Sequence, residues 1–100
     1  MKKIVGLNEQ IKHFSSDVDP IVQAQLPTFR KMFIEVLGAS TADSGEQALQ
    51  MFKLGSKIMD IVGNEVDLED SELNLLKDKC QKNGLRWMAN YHAQVLLKLG

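Results

Sequence analysis

The residues of this chain whose types could do chemistry are two histidines, His13 and His92, and the single cysteine, Cys80. A catalytic or metal-binding histidine needs a carboxylate, a thiol or another histidine at ligand or relay spacing, such as i, i+4 on a helix. His92 has none at this spacing, and we interpret neither histidine as catalytic. Cys80 lies on a predicted leucine stripe that suits a small apolar side chain, although nearby lysines would lower its pKa if it were exposed. We predict a buried Cys80, a partly buried structural His92, and neither catalytic residues nor a cofactor.

An acidic run is the strongest local charge feature, and carboxylate oxygens are the ligands that calcium prefers. Its members are Glu65, Asp67, Glu69, Asp70 and Glu72. If Asp67 opened a calcium loop, the sixth position would be Glu72, where the loop needs glycine, and the twelfth would be Asp78 instead of glutamate. We therefore predict no metal site. The acids should stabilise a helix N-terminus, and the alternative is an acidic docking patch that includes Glu69 and Asp70.

A basic and aromatic stretch follows, in which Lys79, Lys82 and Arg86 lead into Trp87 and Tyr91. Such a stretch can contact phosphates and stack on bases, but the net charge of −1 disfavours nucleic acid as a partner. Tryptophan, tyrosine and arginine are also enriched at protein-binding hot spots. The candidate protein-binding residues are therefore Arg86, Trp87 and Tyr91, unless Trp87 closes the core instead.

The clearest helix is predicted over about 45–62, where Ser44 and Gln47 form a capping box. Apolar residues then recur at helical spacing on one stripe, namely Ala48, Met51, Phe52, Gly55, Ile58, Met59 and Val62. Met51, Phe52 and Ile58, with Phe33 from an earlier helix, are the predicted core. Gly55 lowers helix propensity by about 1 kcal/mol, which a close approach by another backbone would offset unless the glycine is simply tolerated.

Three further helices are predicted from caps and stops. The first begins at Thr28 and ends at Gly38. The next follows Val66-Asp67-Leu68, has acids in its first turn and lysines in its last, and ends at Asn83-Gly84. The last covers Leu85 to Leu99, with Met88, Tyr91, Val95 and Leu99 on one face.

Residues 1–26 admit two interpretations. Ile4-Val5 and Ile21-Val22 favour a small hairpin around a turn at 17–20. Leu7, Ile11 and Phe14 fit a helical face after an Asn8 cap, and we favour a helical turn with extended pieces. The predicted fold class is mainly α: a compact bundle of about four helices with a short N-terminal segment that is either extended or a hairpin.

Bulk composition agrees with a folded domain over 1–100, since 44% of residues are hydrophobic and 25% charged. One cysteine excludes an intrachain disulfide. The apolar run after Met1-Lys2-Lys3 is too short for a signal peptide, and no segment has the ~20 apolar residues of a membrane span. Cytoplasmic residence without membrane association is the expectation.

The order of these segments resembles small accessory proteins of tailed bacteriophages and prophages, over about residues 28–99. The resemblance lies in the Thr28 helix, the segment Glu65 to Lys77, and the C-terminal Gln94-Val95-Leu96-Leu97. It implies a phage-encoded, non-enzymatic protein acting in the host cytoplasm, with no site residues to carry over.

Three functions are compatible with these features of the sequence. The leading one is a protein-binding module, either an assembly or replication accessory or an inhibitor of a host factor. The second is a nucleic-acid-associated protein that uses the stretch from Lys79 to Tyr91. The third is a structural homo-oligomer. Salt dependence separates the second from the first, because phosphate contacts release counterions and weaken steeply with salt.

Overall fold

The computed structural model describes residues 1–12, 20–83 and 87–100. The elements in these ranges are β1 (Lys2–Val5), α1 (Pro20–Ala24), α2 (Phe29–Ala39), α3 (Gly45–Asp60), β2 (Glu65–Leu68), α4 (Asp70–Asn83) and α5 (Ala89–Leu99). The fold is therefore mainly α, as predicted, with four longer helices and a short two-stranded sheet. Within these ranges, no helix combines the length and apolarity that crossing a membrane requires.

Side-chain caps begin α2 and α3 where the sequence predicts them. Thr28 Oγ1 accepts a hydrogen bond from the backbone N–H of Lys31 (3.2 Å), and Ser44 Oγ accepts one from Gln47 N–H (3.1 Å). Gln47 Oε1 in turn accepts from the N–H of Asp43 at 2.8 Å, one residue before the donor of a standard capping box. α3 ends at Asp60, two residues short of the predicted end.

The two strands pair antiparallel, with Ile4 opposite Val66. The hairpin interpretation is wrong, because Ile21-Val22 lies in α1 and the partner of β1 comes from about sixty residues further along the chain. The lead-in to α4, Val66-Asp67-Leu68, is strand β2, in which Val66 and Leu68 are buried and Asp67 is exposed. Glu65 to Leu68 alternates polar and apolar residues, the local pattern of a half-buried strand, but no local pattern identifies β1 as its partner. Phe14 and residues 17–19 of the turn predicted at 17–20 lie outside the described residues, and Pro20 begins α1.

The core collects side chains from β1, β2 and the four longer helices. Phe33, Met51 and Ile58 are buried in it, as predicted. Phe52 is not a core residue, since 73% of it is exposed. α3 turns Met51, Leu54 and Ile58 inward, and Phe52 points about 100° away from Met51 around the helix.

The outer end of the predicted α3 stripe is also exposed. Val62 lies beyond the last helical residue and is 98% exposed, and 56% of Met59 is exposed. The single inward stripe predicted for α3 is therefore wrong for Phe52, Met59, Val62 and the exposed Ala48. The physical reason is that α2 and α4 cover only one side of α3.

The C-terminal helices follow the prediction more closely. α4 ends at Asn83 and buries Leu73, Leu76 and Cys80. α5 begins at Ala89 instead of Leu85, and Met88 is its exposed N-cap residue instead of an inner-face residue. Val95 and Leu99 are buried as predicted, and Tyr91 is half-buried; Gly84, Leu85 and Arg86 lie outside the described residues.

Arg30, in the first turn of α2, fastens the C-terminus of α3. Its Nη1 donates hydrogen bonds to the carbonyl oxygens of Ile58 (3.2 Å), Met59 (3.3 Å) and Ile61 (2.7 Å), and its Nη2 donates to that of Gly63. A cation at this position satisfies carbonyls without helical partners and complements the negative end of the helix dipole. The two helices are thereby held antiparallel at this end.

Candidate protein-docking surface

α3 carries a row of exposed large apolar residues outside the core. The exposed fractions are 63% for Leu49, 73% for Phe52 and 56% for Met59. At 100° per residue, the apolar arc of α3 runs about 220° around the helix, from Leu54 to Leu49. Its inner part is buried against the fold, and its outer part faces solvent.

The outer part of this arc forms one side of a groove between α2 and α3. The α2–α3 groove has a volume of about 390 Å³ and is lined by Ile34, Leu37, Gly38, Ser40, Ala42, Ala48, Met51, Phe52, Gly55, Ser56 and Met59. These residues are apolar or small, and none is charged. The groove thus combines large side chains with a hollow where side chains are short.

The two glycines that line the groove are not required by packing within the protein. A Cβ atom added to Gly38 would meet nothing within 4 Å, and one added to Gly55 would meet Leu37 Cδ1 at 3.8 Å, an ordinary van der Waals distance. The close approach that would offset the weak helix propensity of Gly55 is therefore absent from the described part of the fold. The glycines leave open space at the surface of two helices.

α4 holds the end of the groove that is formed by the connection between α2 and α3. The Nζ of Lys79 donates a hydrogen bond to the carbonyl oxygen of Thr41 at 2.9 Å. Lys79 is only 3% exposed, so its aliphatic stem packs inside the fold. Because Ser40 and Ala42 line the groove on either side of Thr41, this contact positions part of the groove wall.

Charges of both signs lie beside the groove. Lys31 and Glu35 are exposed on α2, and Lys53 and Asp60 are exposed on α3 next in sequence to lining residues. A surface with both signs attracts neither a polyanion nor a polycation strongly. The chemistry of the groove therefore suits an apolar protein surface with a mixed-charge edge.

The sequence-predicted aromatic pair lies near the start of α5. Trp87 and Tyr91 are both half-buried and pack against the core. The Trp87 ring meets the His92 ring edge-on, with centroids 6.1 Å apart and planes at 75°. Their predicted partner residue Arg86 lies outside the described residues.

The predicted acidic pair lies at the other end of α4. Glu69 and Asp70 are exposed where α4 begins, and an Asp70 carboxylate oxygen is 3.6 Å from the N-terminal amine. The fourteen residues of α4 span about 21 Å, so the acidic and aromatic residues do not form one site. None of Glu69, Asp70, Trp87 and Tyr91 lines the α2–α3 groove.

Side chains of the acidic run pair with different basic residues and do not converge on one site. Glu72 Oε1 accepts hydrogen bonds from Lys57 Nζ at 2.9 Å and from the backbone N–H of Glu69 at 3.0 Å. Burial by itself raises the pKa of Glu72. The two hydrogen bonds and the positive charge of Lys57 together lower it by more, so the net shift of the pKa is downward. Glu65 pairs with Lys3 at 3.6 Å. Across the described ranges, no group of three or more histidine, cysteine and carboxylate side chains could hold a metal ion.

Cys80 and His92 meet through the backbone. His92 Nε2 donates a hydrogen bond to the carbonyl oxygen of Cys80 at 2.9 Å, which links α5 to α4. Cys80 is fully buried, as predicted, and burial raises the pKa of its thiol to about 12. The thiolate is therefore scarcely populated at neutral pH, and the thiol is a poor nucleophile.

Two lysines of the predicted basic stretch have protein partners. Lys79 is buried against Thr41, and Lys82 pairs with Asp78 at 3.0 Å one helical turn away. Trp87 and Tyr91 present only part of their rings to solvent. These contacts weaken the nucleic-acid interpretation, because they engage groups that would contact phosphates and bases.

Sequence reasoning placed Phe52 in the core, placed Met59 on the same apolar stripe and gave Leu49 no role. The width of the apolar arc on α3 is a signal that could have found them. A helix at the surface of a globular protein needs an apolar stripe of little more than about 100°, and α3 has about twice that. The excess indicates a second apolar contact beyond the one with the core.

Comparisons of the chain with protein-family models, with curated proteins and with solved structures found no match.

Proposed function

We propose that this protein is a non-enzymatic, phage-type accessory protein that acts in the host cytoplasm by binding another protein through the α2–α3 groove. The observation that carries the proposal is Phe52, a large aromatic residue that is 73% exposed at an apolar groove. Aromatic residues in such positions are typical binding hot spots, because they bury much area at low entropic cost. The phage class and the host as its location are inferred from the sequence resemblance.

The exposed apolar area supports this role. The largest apolar patch on a typical monomer covers roughly 300–600 Å² and is often functional. Leu49, Phe52 and Met59 form such a patch together with the small residues of the groove. A groove between two antiparallel helices suits an apolar helix face, which binds through anchors at i, i+3, i+4 and i+7 spacing.

The proposal is tested with a displayed library of amphipathic helical peptides selected against the whole protein. Phe52→Asp should abolish binding of the selected peptides, because it places a charge where the apolar anchor must be desolvated. Leu97→Asp is the matched control, since Leu97 is 79% exposed on α5 and does not line the groove. Peptides that bind Phe52→Asp as tightly as the unmodified protein would refute the groove as the docking surface.

A further inference from the structure

We propose that the occupant of the α2–α3 groove is a second copy of this chain, so that α3 packs antiparallel against α3 of the other copy around a two-fold axis. This inference rests on the proposed function of the groove and names its partner. Shape, glycine positions, area and charge carry it.

The exposed face of α3 is self-complementary in size. Phe52 and Ser56 lie one turn apart on it, and a two-fold axis that passes midway between them sets Phe52 of each copy opposite Ser56 of the other. The same axis sets Leu49 opposite Met59, because these residues lie equally far on either side of position 54. Each copy thus sets its large Phe52 side chain against the small Ser56 of the other, and the Leu49 and Met59 side chains form apolar contacts on either side.

The glycines of the groove acquire a role in such a dimer. Gly38 and Gly55 have room for a side chain within the protein, so the fold itself does not require them. Small residues on a helix surface allow another helix to approach closely. In the dimer, the space above Gly55 and Gly38 receives the Phe52 side chain of the second copy.

The exposed apolar area matches one side of a stable dimer. A fully exposed large side chain presents roughly 200 Å², so Leu49, Phe52 and Met59 at 63%, 73% and 56% exposure offer about 400 Å². A standard interface takes about 800 Å² from each partner, and somewhat over half of it is apolar. The small lining residues supply the remainder.

Net charge opposes self-association only weakly. The chain carries a net charge of −1, so two copies repel each other weakly. Lys31 and Lys53 alternate with Glu35 and Asp60 on the exposed sides of the two helices, which gives both copies the same mixed edge. The mixed charges beside the groove give no electrostatic potential of one sign that would attract a strongly charged partner.

The first test is sedimentation equilibrium of the full chain over about 1–200 µM, a range that brackets micromolar dimers. We expect a dimer. Phe52→Asp and Met59→Lys should each raise its dissociation constant at least ~30-fold, as loss of a hot spot does. Leu97→Asp should change the dissociation constant of the dimer by less than about threefold, as expected for a substitution at an exposed position outside the interface. A wild-type monomer throughout the range, or a dimer that Phe52→Asp leaves intact, would overturn the proposal.

The glycines provide a variant that separates folding from association. Gly38→Ala combined with Gly55→Ala should raise the melting temperature of the monomeric Phe52→Asp background, because alanine favours the helix. In the unmodified background the same pair should weaken the dimer at least ~10-fold by filling the hollow. An unchanged or tighter dimer would contradict the proposed packing.

The register is tested by mixing Leu49→Cys with Met59→Cys under mild oxidation. A disulfide should form between the two variants faster than within either one, and the native Cys80 does not compete because it is buried. Equal or faster cross-linking within one variant would overturn the register. Peptide binding that Phe52→Asp abolishes, in a protein that stays monomeric, would overturn the dimer alone. Peptide binding unaffected by Phe52→Asp would overturn the proposed function.

Discussion

The buried ammonium of Lys79 on α4 donates a hydrogen bond to the carbonyl oxygen of Thr41, 2.9 Å away in the connection between α2 and α3. Because Lys79 is 3% exposed, its stem contributes packing as well as charge. The contact joins three helices at one point. It is therefore one link, beside the direct packing of α4 on both helices, through which α4 sets the position of the α2–α3 groove.

Replacing Lys79 should separate the packing of its stem from its hydrogen bond. Lys79→Ala removes both and should lower the free energy of unfolding by about 2 kcal/mol. Lys79→Met keeps a side chain of similar length and should cost under about 1 kcal/mol, since no buried charge then needs a partner. Urea denaturation measures both values. Equal losses in the two variants would show that the ammonium dominates.

Arg30 should be the most sensitive polar residue of the α2–α3 pair. Arg30→Ala leaves the carbonyl oxygens of Ile58, Met59 and Ile61 without this donor and should destabilise the protein by about 2 kcal/mol. Arg30→Lys should recover only part of the loss, because an ammonium cannot reproduce the planar fork of donors. Thermal denaturation measures this order, and a lysine variant as stable as the unmodified protein would contradict it.

Two phenylalanines should respond oppositely to truncation. Phe33→Ala should cost about 3–5 kcal/mol, because Phe33 is fully buried and its removal leaves a cavity. Phe52→Ala should cost under about 1 kcal/mol in a monomeric sample, because Phe52 is mostly exposed. Chemical denaturation at low protein concentration makes the comparison. A large loss for Phe52→Ala in a monomer would place this side chain in the core after all.

Cys80 should make stability fall at alkaline pH. Its pKa rises from 9.0 to about 12 on folding, so above pH 9 the unfolded chain loses the thiol proton while the folded protein keeps it. The unfolded state then binds fewer protons, and the free energy of unfolding decreases with pH, by up to about 4 kcal/mol at pH 12. Cys80→Ala should show a shallower decrease between pH 9 and pH 11. Parallel curves for the two proteins would refute this role of the thiol.

The same burial predicts slow modification of the thiol. At pH 8 a disulfide reagent should label Cys80 only at the rate at which the protein opens, and urea should accelerate labelling to that of a free thiol. Rapid labelling of the native protein would show that α4 and α5 do not enclose Cys80 as described.

The starts of α2 and α3, the end of α4 and the burial of Cys80 were predictable because their causes are local. Thr28 and Ser44 satisfy backbone N–H groups within three residues, and Leu73, Leu76 and Cys80 repeat at helical spacing whatever they pack against. The mainly α class follows from these segments. The sequence identified the aromatic and acidic candidate residues by type. It did not show that the length of α4 separates the two groups.

Two features depend on tertiary structure alone. Ile4 pairs with Val66, about sixty residues further along the chain. The stabilisation from this pairing comes from hydrogen bonds and burial that neither strand has by itself. Met51 and Phe52 belong to the same broad apolar arc of α3, and sequence periodicity treats them alike. The positions of α2 and α4 bury Met51 and leave Phe52 in solvent, because a helix packed on one side can cover only part of so wide an arc.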